Sequence, residues 1–359
     1  MTIKEFAEQL DLSTATISRA FTQGSRIHPD TRALVLEQAR TLGYAPNPSA
    51  RNLARRHNRL IGLDCPGNPD MLADPYLIEL ARGVQTALGE NNYGLLLNTL
   101  PRPGGDLELL HEWVYGHAVD GVVIVVPANY PLQTFCPFVA RDIPCVLITQ
   151  ARAASDRVLP AVEIDIASGA RAALMHLVRL GHTEIGLIIS APGDGVRAIY
   201  QDVCAEMLDE GRCPDPGLVV ETPSAIANGR TAMHRLLAAP VRPTAVFCRT
   251  DLLALGALRA ARDMGLRVPE DLSIIGHDDL VLVELSDPPL TTVRIDTALI
   301  GLEASSLLLS LMNCADSDAS KRVAGEAADL QPESIRTVTV KSELIVRDST
   351  ARPPVGTRR

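Results

Sequence analysis

From Ile61 onward, the chain alternates short apolar runs with segments of helical periodicity. Five of the apolar runs are GVVIVV at 121–126, CVLIT at 145–149, IGLII at 185–189, TAVFC at 244–248 and LSIIG at 272–276. Apolar runs of this length are typical of strands buried on both faces of a parallel sheet. Apolar residues spaced three and four apart predict intervening helices, for example at 77–88, 169–180 and 251–264. We therefore predict an α/β body with parallel sheets.

This body, residues 61–347, is longer than one hydrophobic core usually supports. Because single cores stop growing beyond about 250–300 residues, we expect two lobes. Residues 313–334 are polar and acidic without a clear period, which predicts a long exposed connection. Residues 348–359 carry no apolar heptads, so we predict a flexible tail and no coiled-coil route to a tetramer.

The first 46 residues have the pattern of three short helices. Thr2 and Glu5 have capping-box spacing, which predicts a helix from Ile3. Ser13 is placed to cap a second helix after a brief break. A third helix is predicted from Pro29, with Gly43 positioned to end it. Two helices joined by a tight turn, closed by a third, form an all-α helix-turn-helix head.

The polar face of the second helix is suited to a DNA major groove. Hydroxyl groups can contact phosphates or base edges, and an arginine fork matches the O6 and N7 acceptors of guanine. The candidate DNA-binding residues of the head are Thr2, Ser13, Thr14, Ala15, Thr16, Ser18 and Arg19. Helix-turn-helix spacing alone is a weak signal, since any three-helix cap shows it.

The charge distribution strengthens the DNA-binding interpretation. Residues 1–60 carry a net charge of +4, whereas the rest of the chain carries −13, for a total of −9. A basic head on an acidic body fits a protein whose head binds the phosphate backbone of DNA while its body repels other polyanions.

Residues 47–60 form a Pro-rich and Arg-rich hinge. One interpretation is a solvated linker. The other is a short helix, too short to be stable alone, that folds on DNA, neutralises phosphate and offers Leu53 as an apolar wedge to a base step. The residues assigned to DNA in this second interpretation are Asn47, Ser49, Ala50, Arg51, Leu53, Arg55 and Arg56.

Several segments together resemble the lactose-repressor (LacI/GalR) family of bacterial transcription regulators. They are MTIKEFAEQLDLSTATISRAF at 1–21, GYAPNPSARNLARR at 43–56 leading into IGL, AVEIDIASGARAALMHLVRLGHTEIGLII at 161–189, the segment 243–294, and SELIVRDST at 342–350. The resemblance covers almost the whole chain. It favours the second interpretation of the hinge.

The resemblance implies a periplasmic-binding-protein-like body of two lobes joined by three crossovers. We place these near residues 161, 290 and 330, so that lobe 1 is about 61–161 and 291–330, and lobe 2 about 162–290 and 331–347. It further implies a homodimer that binds double-stranded operator DNA with an inverted repeat, usually as a repressor. A small-molecule effector, most commonly a sugar or sugar derivative although nucleobases also occur, would bind between the lobes.

Matching to the family's motifs gives the candidate effector-binding residues Tyr76, Thr149, Arg197, Thr250 and Asp278. Asp278 follows the LSIIG run at an acidic position that accepts hydrogen bonds from effector hydroxyls, although a helix or loop cap is its alternative role. Tyr76 matches a loop that stacks on the ligand, with lobe packing as the alternative. Thr250 and Thr149 stand where many sugar-responsive relatives carry asparagine and aspartate. Arg197 lies in a segment that departs from the family's Arg-x-x-Gly-Phe arrangement.

An enzyme is the main alternative class, and the sequence lacks its usual motifs. No G-x-S-x-G elbow, Walker loop or H-E-x-x-H occurs, and APGDG at 191–195 lacks the phosphate-loop lysine. Asp278 and Asp279 are adjacent, and chain neighbours point in different directions. We expect His176 and His182 to be structural and the seven cysteines to be mostly core residues, so we predict no catalysis, no metal and no cofactor.

No signal-peptide core and no apolar run of about 20 residues occurs, so we expect a cytoplasmic protein without a membrane partner. The first hypothesis is therefore a DNA-binding regulator. The second is a cytoplasmic solute-binding module that does not bind an operator, and the third is an enzyme on the same body.

Overall fold

The structure of the protein is a computed structural model. It describes residues 1–22, 24–46, 58–65, 74–99, 107–126, 132–135, 144–150, 159–190, 195–211, 215–323 and 336–354. The chain forms two compact units, Met1–Arg59 and Leu60–Arg359. None of the helices in these ranges has the length and apolar composition to cross a membrane.

The first unit contains the three predicted helices, α1 (Ile3–Gln9), α2 (Thr14–Ala20) and α3 (Pro29–Thr41). Both hydrogen bonds of the capping box between Thr2 and Glu5 are present. The Ser13 side chain accepts a hydrogen bond from Thr16 N, as expected for the cap of α2. Gly43 has a φ of +63°, the left-handed conformation that commonly ends a helix.

A small core holds the three helices together. Phe6, Ile17 and Val35, one from each helix, are completely buried. The Tyr44 ring stacks on Phe6 with the ring centroids 4.2 Å apart. Aromatic stacking therefore closes the core from the residue that follows Gly43, a contact that the helical periodicity did not predict.

The second unit contains one sheet of eleven strands in the order β2-β1-β3-β4-β5-β11-β10-β9-β8-β6-β7. The strands are β1 (Leu60–Asp64), β2 (Gly94–Asn98), β3 (Gly121–Val125), β4 (Cys145–Gln150), β5 (Ala161–Asp165), β6 (Ile185–Ile189), β7 (Val219–Glu221), β8 (Ala245–Arg249), β9 (Ser273–Asp278), β10 (Thr291–Ile295) and β11 (Thr337–Ile345). Neighbours are parallel except β10 and β11. The α/β prediction and its five strands are confirmed.

The helices of this unit cover the sheet. They are α4 (Pro75–Glu90), α5 (Glu108–Tyr115), α6 (Ile166–Leu180), α7 (Val196–Asp209), α8 (Ile226–Leu237), α9 (Asp251–Asp263), α10 (Val281–Glu284) and α11 (Thr297–Val323), with a short 3₁₀ turn at Leu132–Phe135. The end of α11 corrects one prediction. Residues 313–323, expected in an exposed connection, continue the helix, and no glycine or proline occurs between Gly301 and Gly325 to end it earlier. Residues 324–334 of that connection lie outside the described residues.

β11 belongs to both halves of the sheet. Its residues 337–341 pair in parallel with β5, and its residues 342–345 pair antiparallel with β10. We call β1–β5 with the first part of β11 the first half-sheet, and β6–β10 with the second part the second half-sheet. The chain changes halves after residues 165, 295 and 341, each somewhat beyond the crossovers expected near 161, 290 and 330.

Residues 348–354 were assigned to a flexible tail, and the structure corrects this assignment. Ser349 is completely buried, and its hydroxyl donates to Ile274 O at 2.6 Å and accepts from Thr291 N at 2.8 Å. Ala351 O accepts from His182 Nε2, which is the structural role expected for that histidine. A short hydroxyl side chain inside the second half-sheet fixes this segment, whereas residues 355–359 lie outside the described ranges.

We expect Ser349→Ala to lower the free energy of unfolding by about 1–3 kcal/mol, because it leaves the buried Thr291 N–H without an acceptor. Urea denaturation of the purified protein measures this change. Asp348→Ala removes an exposed neighbouring side chain and is the matched control. Equal urea midpoints for the two variants would contradict the claim that the hydrogen bonds of Ser349 stabilise residues 348–354.

Candidate functional site

A cavity of about 230 Å³ lies at the carboxyl ends of strands from both half-sheets. Such crevices are the usual ligand sites of open α/β sheets. Its described lining residues are Asp74, Tyr76, Val125, Val126, Ile148, Thr149, Gln150, Ile164, Ile166, Ser224, Arg249, Thr250, Leu252, Asp278, Leu280 and Ile295. The wall is thus apolar over much of its area, with a limited set of polar groups.

Four of the five candidate effector residues lie on this wall, namely Tyr76, Thr149, Thr250 and Asp278. The fifth, Arg197, is not among the described lining residues. It lies in the first turn of α7, where its guanidinium forms an ion pair with Glu221. The side chains of Asp74, Gln150, Ser224 and Arg249 line the cavity and were missed. Gln150 and Arg249 end strands, Asp74 directly precedes α4, and Ser224 lies in the short connection between β7 and α8; these positions were the available signal.

Arg249 is the last residue of β8, so its side chain leaves the sheet at the cavity. Only 13% of the side chain is exposed. Its Nε is buried and has no hydrogen-bond acceptor in the described part of the chain. Its Nη1 lies 3.6 Å from Asp278 Oδ1, close enough for charge attraction but beyond hydrogen-bonding distance.

Asp278, the last residue of β9, faces Arg249 across the wall. Its backbone has a φ of +116°, an unusual conformation for a residue with a side chain. Burial raises the pKa of this carboxyl to about 6, against the lowering effect of Arg249. Its Oδ1 also lies 3.1 Å from Nδ1 of His277. Burial, followed by the charge of Arg249, holds the pKa of His277 well below its usual value, so this imidazole is neutral at pH 7.

The neighbouring carboxylate Asp279 has a different role. Its two oxygens bind Arg294 Nε at 2.6 Å and Arg347 Nη2 at 2.7 Å. It therefore ties the end of β9 to β10 and to the residues after β11. The two adjacent carboxylates point in different directions, as expected from the sequence.

Behind the cavity wall, Asp251 is completely buried at the start of α9. It accepts hydrogen bonds from Leu280 N at 2.8 Å and from Thr292 Oγ1 at 2.7 Å. Burial and the nearby Asp278 raise the pKa of Asp251 to about 7. This carboxyl thus fixes the loop after β9 to β10.

The remaining polar groups come from helix starts and strand ends. Asp74 caps α4 by accepting a hydrogen bond from Tyr76 N at 3.0 Å, which fixes the backbone of the half-buried Tyr76. Ser224 and Thr250 share a hydrogen bond at 2.5 Å. Thr149 is buried at the end of β4, next to Gln150. Both half-sheets therefore contribute polar groups to the cavity wall.

The head presents a second candidate site. Thr14, Ala15, Ser18 and Arg19 are exposed on α2, Thr16 is partly exposed, and Ile17 and Ala20 are buried on the opposite face. Thr2 and Ser13 are exposed helix caps. The predicted DNA-binding residues of the hinge, Asn47, Ser49, Ala50, Arg51, Leu53, Arg55 and Arg56, lie outside the described residues.

Arg32 of α3 holds the carboxyl end of α2, a role that sequence reasoning missed. Its Nε donates to Ala20 O at 3.0 Å, and its Nη2 donates to Thr22 O. Ser25 Oγ donates to Arg19 O. These donors satisfy carbonyl groups that a helix end leaves free, so the orientation of α2 is fixed by side chains outside it.

Comparison with protein families gives one match in the second unit. The family described as "Periplasmic binding protein-like domain" matches residues 174–350. This range includes Arg249, Thr250 and Asp278 of the cavity wall.

Comparison with individual proteins covers both units. The chain is 33% identical over 318 residues to the HTH-type transcriptional repressor CytR of Escherichia coli (strain K12), covering 87% of this chain and 89% of that protein. Among solved structures, the transcriptional regulator CelR–cellobiose complex is 29% identical, with a TM-score of 0.65 over 97% of this chain and 99% of that one. The structure of the lac repressor dimer bound to operator and the anti-inducer ONPF has a TM-score of 0.77 and covers 98% of this chain and 99% of that one. Because the two sequences are 24% identical, this likeness shows that the fold is shared.

The raised pKa of Asp251 predicts a pH-dependent stability. The folded state binds this proton more tightly than the unfolded state, where the pKa is near 3.8. The stabilising contribution is therefore present below 3.8 and is lost as the pH rises toward about 7. We expect the stability of Asp251→Asn relative to the unmodified protein to improve as the pH rises through this range.

Urea denaturation at several pH values measures this difference. Asp209→Asn, an exposed change at the last residue of α7, should give a difference that does not vary with pH in this way. The account of Asp251 is contradicted if the two variants show the same pH dependence.

Proposed function

Because the chain belongs to the LacI family of transcription regulators, we propose that it binds an inverted-repeat operator as a homodimer under the control of a small-molecule effector. The relatives are regulators rather than enzymes, and we propose that this chain likewise binds without catalysis, in the cytoplasm. Repression is the proposed outcome. The observation that carries the proposal is the exposed polar face of α2.

That face has the composition of a recognition helix. It offers hydroxyl groups and one bidentate donor, Arg19, while Ile17 anchors the helix in the head core. Arg32 and Ser25 fix its carboxyl end, so the exposed groups have a defined spacing. The hinge arginines add phosphate contacts, and Leu53 supplies the apolar wedge in the minor groove.

The effector is proposed to bind in the cavity at the strand ends. Tyr76 and Thr149 on the side of the first half-sheet and Thr250 and Asp278 on the other support this placement. The neighbouring CelR structure is a complex with cellobiose. A sugar or sugar derivative is accordingly the proposed effector class. Because ligand contacts come from both half-sheets, binding alters their arrangement and, through it, DNA affinity.

Exposed apolar side chains support the homodimer. On α10 and the residue that follows it, Val281 is 72% exposed and Leu285 80% exposed, while Val283 between them is buried. Leu282 is exposed as well. Adjacent apolar groups of this kind mark protein contacts in soluble proteins, and we propose a second copy of this chain as the partner.

The operator is found by selecting bound sequences from a random DNA pool at near-physiological salt, where non-specific phosphate binding is weak. The proposal expects an enriched inverted repeat with an easily kinked pyrimidine-purine step at its centre. Effector binding without any selected motif would instead favour a solute-binding module that does not bind an operator.

We expect Arg19→Ala to lose about 1–3 kcal/mol of discrimination at one base pair of each half-site, because the bidentate contact to guanine is removed. Titration of the selected operator and of a single-base variant measures this loss. Arg40→Ala removes the same charge from an exposed position of α3 and should preserve the discrimination. Equal discrimination in the two variants would remove Arg19 from base recognition.

We expect Leu285→Asp to weaken the homodimer at least tenfold, since each interface would bury a carboxylate next to apolar groups. Analytical ultracentrifugation measures the monomer–dimer equilibrium. Leu208→Asp changes an exposed leucine on α7 and should leave the equilibrium unchanged. An unchanged dimer in Leu285→Asp would place the interface elsewhere.

A further inference from the structure

Arg249 is a charged residue whose described neighbours leave a hydrogen-bond donor without an acceptor. A guanidinium has five N–H donors, and a buried donor without an acceptor costs about 1–3 kcal/mol. The Nε of Arg249 is in this position among the described residues, and Asp278 Oδ1 at 3.6 Å is too distant to accept a hydrogen bond. Arg249 lines the cavity, and 13% of its side chain is exposed, so an acceptor inside the cavity can reach the part of the guanidinium that is not buried.

The position of Arg197 strengthens this argument. The family resemblance assigns it the role of the arginine that holds the effector, yet its guanidinium is paired with Glu221. Arg249, by contrast, lies on the wall together with Thr250 and Asp278. The wall thus contains one arginine among its described residues, and it comes from β8 rather than α7.

The charges on the wall limit what the ligand can be. Among the described residues, two carboxyl groups, Asp74 and Asp278, and one guanidinium line the cavity. An anionic ligand would therefore add repulsion to a wall that already has more acids than bases. A cation would satisfy Asp278 but would supply no acceptor to Arg249. A neutral ligand whose groups both accept and donate hydrogen bonds satisfies both residues.

We propose that Arg249, rather than Arg197, is the arginine that holds the effector, and that it donates to the oxygens of a neutral vicinal diol whose hydroxyls donate to Asp278. This inference rests on the proposed function, since it concerns the effector of the same cavity. Free sugars and the ribose of a nucleoside both carry such a diol. The half-buried Tyr76 and the aliphatic wall suit the less polar faces of a ring.

Isothermal titration of the full chain tests the ligand class. The neutral probes are D-ribose, cellobiose and the common ribonucleosides, and the 2′-deoxyribonucleosides are matched probes without the vicinal diol. D-gluconate and D-ribose 5-phosphate are the anionic probes. We expect at least one neutral diol to bind, and we expect any ribonucleoside that binds to exceed its 2′-deoxy counterpart by about tenfold or more.

Variants of Arg249 and Arg197 test which arginine binds the effector. With the tightest neutral probe, Arg249→Met should weaken binding about tenfold to a hundredfold, because charge-assisted hydrogen bonds are lost. Arg249→Lys should recover only part of the affinity, since one ammonium cannot reproduce the planar fork. Arg197→Met should change the affinity by less than about threefold. Circular dichroism and the melting temperature show whether each variant is folded, and the partial recovery in Arg249→Lys separates a binding role from a structural one.

The outcomes distinguish this inference from the proposed function. If the chain selects an inverted repeat but binds only anions, or binds no neutral diol, the inference is overturned and the regulator stands. It is equally overturned if Arg197→Met loses binding and Arg249→Met keeps it. If no inverted repeat is selected while a diol binds through Arg249, the inference holds and the regulator fails.

Discussion

The hydrogen bonds of β11 unite the body, because this one strand completes both halves of the sheet. Its first part extends β5 in parallel, and its second part runs antiparallel to β10. At the change of partner, Ser342 Oγ donates to Asp165 O at the end of β5. Gly169 of α6 lies so close to Ser342 and Val293 that any side chain there would collide with them. The absence of a side chain lets α6 pack over the junction, and the strand ends of both halves then meet at the cavity.

The buried acids connect the cavity to this junction. Asp278 lies on the wall, and Asp251 behind it is hydrogen-bonded to Thr292 of β10, the strand beside β11. Asp279 reaches the same region through Arg294 and Arg347. Because burial raises the pKa of both Asp251 and Asp278, their charges depend on the neighbouring donors. A ligand that donates hydrogen bonds to Asp278 therefore acts on a network that extends to β10.

Sequence periodicity predicted the elements well and the polar contacts between them poorly. Runs such as IGLII became strands because burial on both faces of a parallel sheet requires continuous apolar residues. The helical end of α11 was missed because the lack of an apolar period does not by itself end a helix. The buried position of Ser349 could not be predicted, since its hydrogen-bond partners, Ile274 O and Thr291 N, are distant in sequence. Arg249 was missed for a related reason. The family motif points to Thr250 and Arg197, whereas the position of Arg249 on the cavity wall, with a buried Nε that has no acceptor among the described residues, shows only in three dimensions.

The placement of polar groups also determines how an effector can act on DNA affinity. A ligand shifts an equilibrium between two arrangements only by its difference in affinity for them, so contacts that are the same in both arrangements shift nothing. Thr149 and Gln150 end β4 of the first half-sheet, whereas Arg249 and Asp278 end strands of the second. A ligand that binds all four is sensitive to the distance between the halves. Coupling of this kind is typically about 1–3 kcal/mol per site. In the proposed homodimer, two sites acting on one operator give about 2–6 kcal/mol, or roughly 30-fold to 10⁴-fold in operator affinity, if the two contributions add.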